Sequence, residues 1–255
     1  MTISPEKAMI LAAGLGVRMR PITERTPKPL VRVAGKAMLD WALEKLDQAG
    51  VEKTVINIHH HAAVMRLWIQ DHEHVSRIII SDESACLLDS GGGVRYALPA
   101  LGWDPFFLLN ADAVWMNGSE CALSRLAQRW NFGNMDGLML LVPTSLAMGY
   151  CGDGDFFMED SGQLRRAATG EKAPYVYAGV MILNPSIFVD VPSEPFSLNV
   201  VFDRMLGQGR LFGLVHDGAW FHIGTPEALE QAESYFGAMT ETGSGTEAGE
   251  PAVVR

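Results

Sequence analysis

The chain has 255 residues, 30 acidic against 20 basic, a net charge of −10 and 48% apolar side chains. That length and apolar share suit one α/β domain with a large core, and the negative balance argues against broad nucleic-acid or anionic-membrane binding. Cys86, Cys121 and Cys151 form no C-x-x-C pair, no apolar run is long enough to span a bilayer, and residues 8–13 are too short for a leader, so a cytoplasmic protein with reduced thiols is expected.

Residues 7–12 (KAMILA) read as a buried strand, and 13–36 as a loop interrupted by Pro21, Pro27, Pro29 and Gly35. Apolar residues at 39, 42, 43 and 46 have helical spacing, which predicts a helix over 38–49 stopped by Gly50. A strand at 51–58, a helix at 62–71 and a strand at 75–80 follow. The run Gly91-Gly92-Gly93 precedes a short helix at 94–98. Next come a buried strand at 106–110, a helix at 120–130 and a strand at 137–142. Further on, 155–158 and 163–166 pair as a hairpin around Asp160-Ser161-Gly162. A strand at 175–183, a helix at 198–206, strands at 211–215 and 220–223, and a helix at 226–235 close the order. Residues 237–255, rich in Gly, Thr and Glu, read as a disordered tail. Alternating strands and helices predict a Rossmann-like, mostly parallel mixed sheet between two helical layers, a three-layer α/β sandwich.

Charge is unevenly placed. Residues 1–36 carry seven bases and two acids, a local charge of +5 on an otherwise acidic body. Arg18, Arg20, Arg25, Lys28 and Arg32 face a single acid, Glu24, in a loop that follows a strand. A small polyanion such as a phosphate ester suits that pattern; the alternative is a solvated basic loop. Gly14-x-Gly16 is not a dinucleotide fingerprint, because the third glycine position holds Met19 and Pro21 follows. Phosphates would instead meet loop N–H groups and fixed cations, an arrangement suited to a triphosphate. In open α/β sheets ligands sit beyond the carboxyl ends of strands. The loop after Ala12, the Asp112 turn and the segment after Ile80 all fall there.

The run from Leu11 to Leu30, L-A-A-G-x-G-x-R-M-x-P-x-T-x-x-x-P-K-P-L, resembles the signature of sugar-1-phosphate nucleotidyltransferases. Ser90-Gly91-Gly92-Gly93, Asn110-Ala111-Asp112, Tyr177-Ala178-Gly179 and WFHIGT from Trp220 extend the resemblance to about Ala232. It is most similar to short bacterial members, the N-acetylmuramate-1-phosphate uridylyltransferases and mannose-1-phosphate guanylyltransferases, without the left-handed β-helix of longer relatives. The resemblance implies a GT-A-like domain over 1–236, with a nucleotide half to about 115 and a sugar half from 116.

It also implies roles. Leu11, Ala12, Ala13, Gly14, Gly16 and Met19 would approach the nucleotide, Arg18 would hold the leaving phosphates, and Lys28 would neutralise the α-phosphate. Glu83, Ser90 and Gly91, with Asn110, would meet the base and nucleoside; the alternative for the first three is a glycine-rich turn opening a helix. Asp112 would hold Mg²⁺, with Mn²⁺ as the alternative, or serve merely as a turn or cap aspartate. Glu171, Lys172, Gly179, Asn199 and Trp220 would face the sugar phosphate, although Glu171-Lys172 also reads as a solvated turn. Arg165, Arg166 or Lys172 would answer a lactyl carboxylate.

One position departs from the family. Its second metal ligand is an aspartate, where this chain has His222. Either Asp112 holds the ion alone with waters, or the site prefers manganese, or His222 binds phosphate directly. His59-His60-His61, with His72 and His74, lacks a tetrahedral ligand set and reads as polar packing at a turn, its alternate side chains diverging. The expected partners are a nucleoside triphosphate and a sugar 1-phosphate, best UTP and N-acetylmuramate 1-phosphate, in a monomer or homodimer that binds neither nucleic acid nor membrane. GTP with mannose 1-phosphate is the alternative pair, and an inactive sugar-nucleotide sensor the alternative class.

Overall fold

The computed structural model describes residues 4–243, with side chains described to residue 239. β1 (Lys7–Leu11) leads into three tight 3-10 turns, then the two-residue strands β2 (Arg32–Val33) and β3 (Lys36–Ala37). Proline keeps the turns short, since it lacks the N–H that a longer helix needs. α1 (Met38–Gln48), β4 (Lys53–Ile58), α2 (Ala62–Asp71), β5 (Ile78–Asp82), α3 (Asp89–Leu101) and β6 (Phe106–Asn110) complete the first half. The second half begins with β7 (Ala113–Trp115), α4 (Ala122–Arg129), β8 (Gly137–Pro143) and β9 (Ala147–Met148). The hairpin β10 (Phe156–Met158) and β11 (Leu164–Arg166) precedes β12 (Tyr175–Leu183), α5 (Asn199–Gly207), β13 (Leu211–Val215), β14 (Trp220–His222) and α6 (Pro226–Gly243).

The long strands lie in the order β5-β4-β1-β6-β12-β8-β13, with the hairpin attached at the start of β12. Among them only β12 is reversed, running against both β6 and β8. Side chains alternate between two cores, as a period of two requires. Ala8 and Ile10 of β1, with Phe107 and Leu109 of β6, meet Leu39 and Leu43 of α1, Met65 of α2 and Leu126 of α4. Met9, Phe106 and Leu108 face the other way, toward Val94 and Ala97 of α3 and Phe202 of α5. The sheet therefore has helices on both faces, as the alternation predicts. A third cluster packs Met19, Val31 and Val33 of the first loop under Phe221 of β14 and Ala232 of α6.

Several boundaries differ from the sequence reading. The strand expected from residue 75 starts at Ile78, because β4 offers its first partner to it there, Thr54 opposite Ile78; Val75–Arg77 form a 3-10 turn instead. α3 runs through the three glycines rather than after them. Each glycine costs helix propensity, yet a Cβ on Gly91 would sit 2.4 Å from the Phe196 ring and one on Gly93 2.7 Å from Glu83 Oε1. Close approach, not flexibility, explains the run. The three-stranded sheet β7-β14-β9 was not legible, being built from two- and three-residue strands. α6 continues to Gly243, into the segment expected to be a tail, since no proline stops it and Ala238, Met239 and Glu241 favour helix. The rest of that tail lies outside the described residues. β12 slips register against β8 between Tyr177 and Met181, where Gly179 has φ of +74°, and such a bulge bends a strand and re-aims its side chains.

Gly91→Ala should lower stability by roughly 1–3 kcal/mol, overpacking against Phe196 outweighing the helix propensity gained. Urea unfolding measures it; a variant as stable as the parent would show that Phe196 yields freely.

Candidate functional site

A cavity of about 550 Å³ opens beyond the carboxyl ends of β1, β4 and β6. Leu11, Ala12, Ala13, Gly14, Gly16, Arg18 and Lys28 line it from the first loop, Glu83 and Ser90 from the segment after β5, and Asn110 and Asp112 from the end of β6. Eleven sequence-predicted residues thus converge there, from three separate segments of the chain.

The loop is folded back on itself. Gly16 has φ of +62°, and a Cβ there would lie 2.9 Å from Thr23 Cγ2 and 3.1 Å from Lys28 Cβ. Thr23 Oγ1 donates to the Gly16 carbonyl at 2.7 Å. This close packing carries Lys28 back over the strand ends, where its Nζ meets Asp112 Oδ2 at 2.6 Å. The two side chains are 14% and 24% exposed, so solvent screens the pair weakly. His222 Nε2 lies 3.6 Å from the same oxygen. Burial would push the Asp112 carboxyl up, but His222 and Lys28 together hold it well below the usual carboxylate range. Gly224, also lining the cavity, leaves room for the imidazole: a Cβ there would stand 2.9 Å from His222 Cε1 and 3.5 Å from the Arg18 guanidinium. Arg18 is exposed and forms no ion pair among the described residues, which leaves its fork available to an anion.

On the other wall, Glu83 is 2% exposed. Its Oε1 accepts from Asn57 Nδ2 at 2.7 Å and its Oε2 from the Leu88 N–H at 3.1 Å. The carboxylate therefore shapes the wall, with both oxygens engaged. Asn57, which sequence reasoning missed, also accepts the Ala12 N–H at 2.7 Å and lines the cavity. Its signal is a lone amide near the end of an otherwise apolar strand, KTVINI. Ser90 Oγ accepts the Leu198 N–H at 3.0 Å.

Other expected residues lie elsewhere. Met19 is fully buried in the third core cluster, so its side chain anchors the loop. Gly91 donates its N–H to the Phe196 carbonyl at 2.8 Å and faces that residue rather than the cavity. Trp220 is 2% exposed, and its Nε1 donates to the Ala178 carbonyl at 2.9 Å, tying β14 to β12. Gly179 does not line the cavity but fits against Asn110, 3.0 Å from Asn110 Cβ to a Cβ built on it. Glu171 receives a bidentate pair from Arg165 at 2.8 and 2.9 Å, which holds its carboxyl down at about 2. Lys172 is solvated, its Nζ 3.8 Å from Asp153. Asn199 Oδ1 accepts from Arg166 at 3.2 Å. None of these last three lines the cavity. Tyr177, by contrast, lies close enough for Asp112 to join burial in raising its phenol pKa, and its buried hydroxyl has no hydrogen-bond partner among the described residues.

The depressed Asp112 carboxyl has a consequence for stability. A group lowered on folding contributes above its unfolded pKa, near 4, and loses that contribution as pH falls further. At pH 7 Asp112→Asn should be less stable than the parent by roughly 1–3 kcal/mol, because Lys28 loses its counter-charge. That gap should narrow as pH drops below about 4, read from urea midpoints of both proteins.

Comparison with known proteins places this geometry. A family profile described as nucleotidyl transferase matches residues 7–237. The N-acetylmuramate alpha-1-phosphate uridylyltransferase of Caulobacter vibrioides is 40% identical over 237 residues, covering 92% of this chain and 98% of that protein. The protein of the same name from Neisseria meningitidis serogroup B is 34% identical, covering 91% and 99%. A solved UDP-glucose pyrophosphorylase complexed with UDP-glucose shares the fold, with a TM-score of 0.75 at 15% identity over 92% of this chain and 99% of that one. With the profile running from β1 into α6, and two relatives above 30% identity matched almost end to end, the chain belongs to the nucleotidyl transferase family.

Proposed function

We propose that the chain joins a nucleoside triphosphate to a sugar 1-phosphate, giving a nucleoside-diphosphate sugar and pyrophosphate, with UTP and N-acetylmuramate 1-phosphate as the pair. The observation that carries the reaction class is the Lys28–Asp112 contact, set in a glycine-lined cavity that Arg18, without an ion pair among the described residues, also lines. The choice of substrates rests on the Caulobacter and Neisseria relatives, matched over nearly their whole length.

In this reading a sugar-phosphate oxygen attacks the α-phosphorus, the bond to the bridging oxygen breaks, and pyrophosphate leaves. Catalysis is positioning and charge neutralisation. Gly14 and Gly16 let the triphosphate approach the backbone. Lys28 neutralises the α-phosphate, and Arg18 draws off the leaving phosphates. Asn57 and Glu83 hold the opposite wall.

No group of three or more His, Cys, Asp or Glu side chains converges on a metal position among the described residues. One carboxylate, Asp112, with the imidazole of His222 3.6 Å away, fits a hard cation that keeps waters and shares phosphate oxygens. We assign Mg²⁺, with Mn²⁺ favoured to the extent that His222 joins the shell. A divalent ion held by Asp112 would supply positive charge against the phosphates.

Pyrophosphate release should be fastest with UTP and N-acetylmuramate 1-phosphate in a grid against GTP, dTTP, CTP and ATP and against N-acetylglucosamine, glucose and mannose 1-phosphates. Turnover with GTP and mannose 1-phosphate instead would overturn the substrate assignment and keep the chemistry. Silence across the grid, from folded protein that binds nucleotide, would identify a sensor. Lys28→Ala should lower kcat/KM by two to four orders of magnitude, roughly 3–5 kcal/mol, with its folded fraction checked by circular dichroism. His222→Asp should raise the ratio of Mg²⁺- to Mn²⁺-supported rates; an unchanged ratio removes His222 from the metal's surroundings.

A further inference from the structure

The histidine run at the end of β4 is left unexplained by the chemistry above. His59 diverges from its neighbours as the strand alternation predicts, but His60 and His61 converge. His61 takes a left-handed backbone, φ +53° and ψ +36°, immediately before α2. Such a conformation is uncommon for a residue with a Cβ and invites a structural reason. Its effect is to bring the rings of His60 and His61 to 3.9 Å between centroids. Both point at one atom: His60 Nε2 lies 3.4 Å and His61 Nε2 3.2 Å from the Thr23 carbonyl oxygen. A carbonyl only accepts, so each ring donates its Nε2–H, and the two lone pairs of that oxygen are used together.

Thr23 is 2% exposed and stands in the middle of the basic loop. Its hydroxyl holds the Gly16 carbonyl, and its side chain abuts the spot where Gly16 packs on Lys28. The next histidine back, His59, donates from Nδ1 to the Glu83 carbonyl at 2.7 Å. Asn57, two residues earlier on the same strand end, bridges Ala12 and Glu83. Within five consecutive residues, then, one strand end is bonded to both walls of the cavity.

We infer that Asn57, His59, His60 and His61 are positioning residues that clasp the basic loop to the opposite wall and so fix where Lys28 and Gly16 meet the nucleotide. They need not touch substrate: of the four, only Asn57 lines the cavity. A hydrogen-bonded clasp suits a loop that its prolines keep from forming a longer helix or ladder of its own. The kinetic part of this inference rests on the reading of the cavity as a nucleoside triphosphate site; the structural part does not.

The test uses two double variants of the full chain. His60→Phe with His61→Asn removes the reach to Thr23, and Asn keeps the left-handed backbone accessible. His60→Gln with His61→Gln restores an N–H donor of similar length. In unliganded protein, amide exchange at Met19, Arg20 and Glu24, whose N–H groups close the loop's own turns, should accelerate about tenfold or more in the Phe/Asn variant. Exchange in β6 should hold, and the Gln/Gln variant should recover most of the loop's protection. KM for UTP should rise about tenfold in the Phe/Asn variant while KM for N-acetylmuramate 1-phosphate stays within about twofold, again with recovery by Gln. Unchanged loop exchange, or equal acceleration in loop and β6 that glutamine does not reverse, would overturn the clasp. Absence of turnover by the parent protein would count against the proposed reaction alone, since the exchange arm still decides the clasp.

Discussion

The contact between Lys28 and Asp112 organises the site. An ammonium and a carboxylate, both largely removed from water, must meet at close range or their desolvation goes uncompensated. Here they come from positions 84 residues apart, and Nζ and Oδ2 are 2.6 Å apart. To satisfy that constraint the first loop must turn back on itself, which only a glycine at 16 allows. The loop must also be held down, by Met19 in the third core and by the grip on Thr23. The last strand must bring His222 to the same carboxylate, which requires β14 to pair with β7 just after Asp112. Much of the irregular structure around the cavity follows from placing one cation on one anion.

That pair also explains how an acidic chain accommodates a basic loop. In the unliganded protein Asp112 neutralises Lys28, while Arg18 stays exposed and without an ion pair among the described residues. In the proposed reaction an arriving triphosphate would meet Arg18 first, and Lys28 would turn from the carboxylate to phosphate. The net charge of −10 disfavours nonspecific contact with longer polyanions.

The parts legible in the sequence are those with a strong local cause. β1 and β6 are apolar runs buried on both faces, α1 has helical spacing and a glycine stop, and the hairpin forms around the predicted turn. The loop's composition pointed to the cavity, and residues 11–30 supplied seven of its predicted lining positions. What stayed hidden depends on distant partners. A glycine run looks like a turn until Phe196 and Glu83 are seen pressed against it. Asn57 looks like any strand residue until its two partners arrive, one 45 and one 26 residues away. Tyr177 and the bulge at Gly179 depend on β12 running between β6 and β8, which short-range pattern does not encode.

The sugar side shows the same principle in reverse. Glu171, Lys172 and Asn199 were expected there by resemblance; none lines the cavity, and Glu171 is paired with Arg165, Lys172 solvated near Asp153 and Asn199 bonded to Arg166. Arg165 is committed to Glu171, and Arg166 to Asn199 and Asp203. Exposed pairs of this kind are worth little and exchange readily, because water and salt screen them. An anion would therefore compete for either guanidinium at small cost, whereas rearranging the buried Glu83–Asn57 wall would leave a buried charge unpaired. The two regions thus differ in kind. The Asn57–Glu83 wall is fixed by buried polar bonds, whereas the pairs of Arg165 and Arg166 are exposed and exchangeable; under the proposed reaction, adjustment to a second substrate would cost least at those pairs.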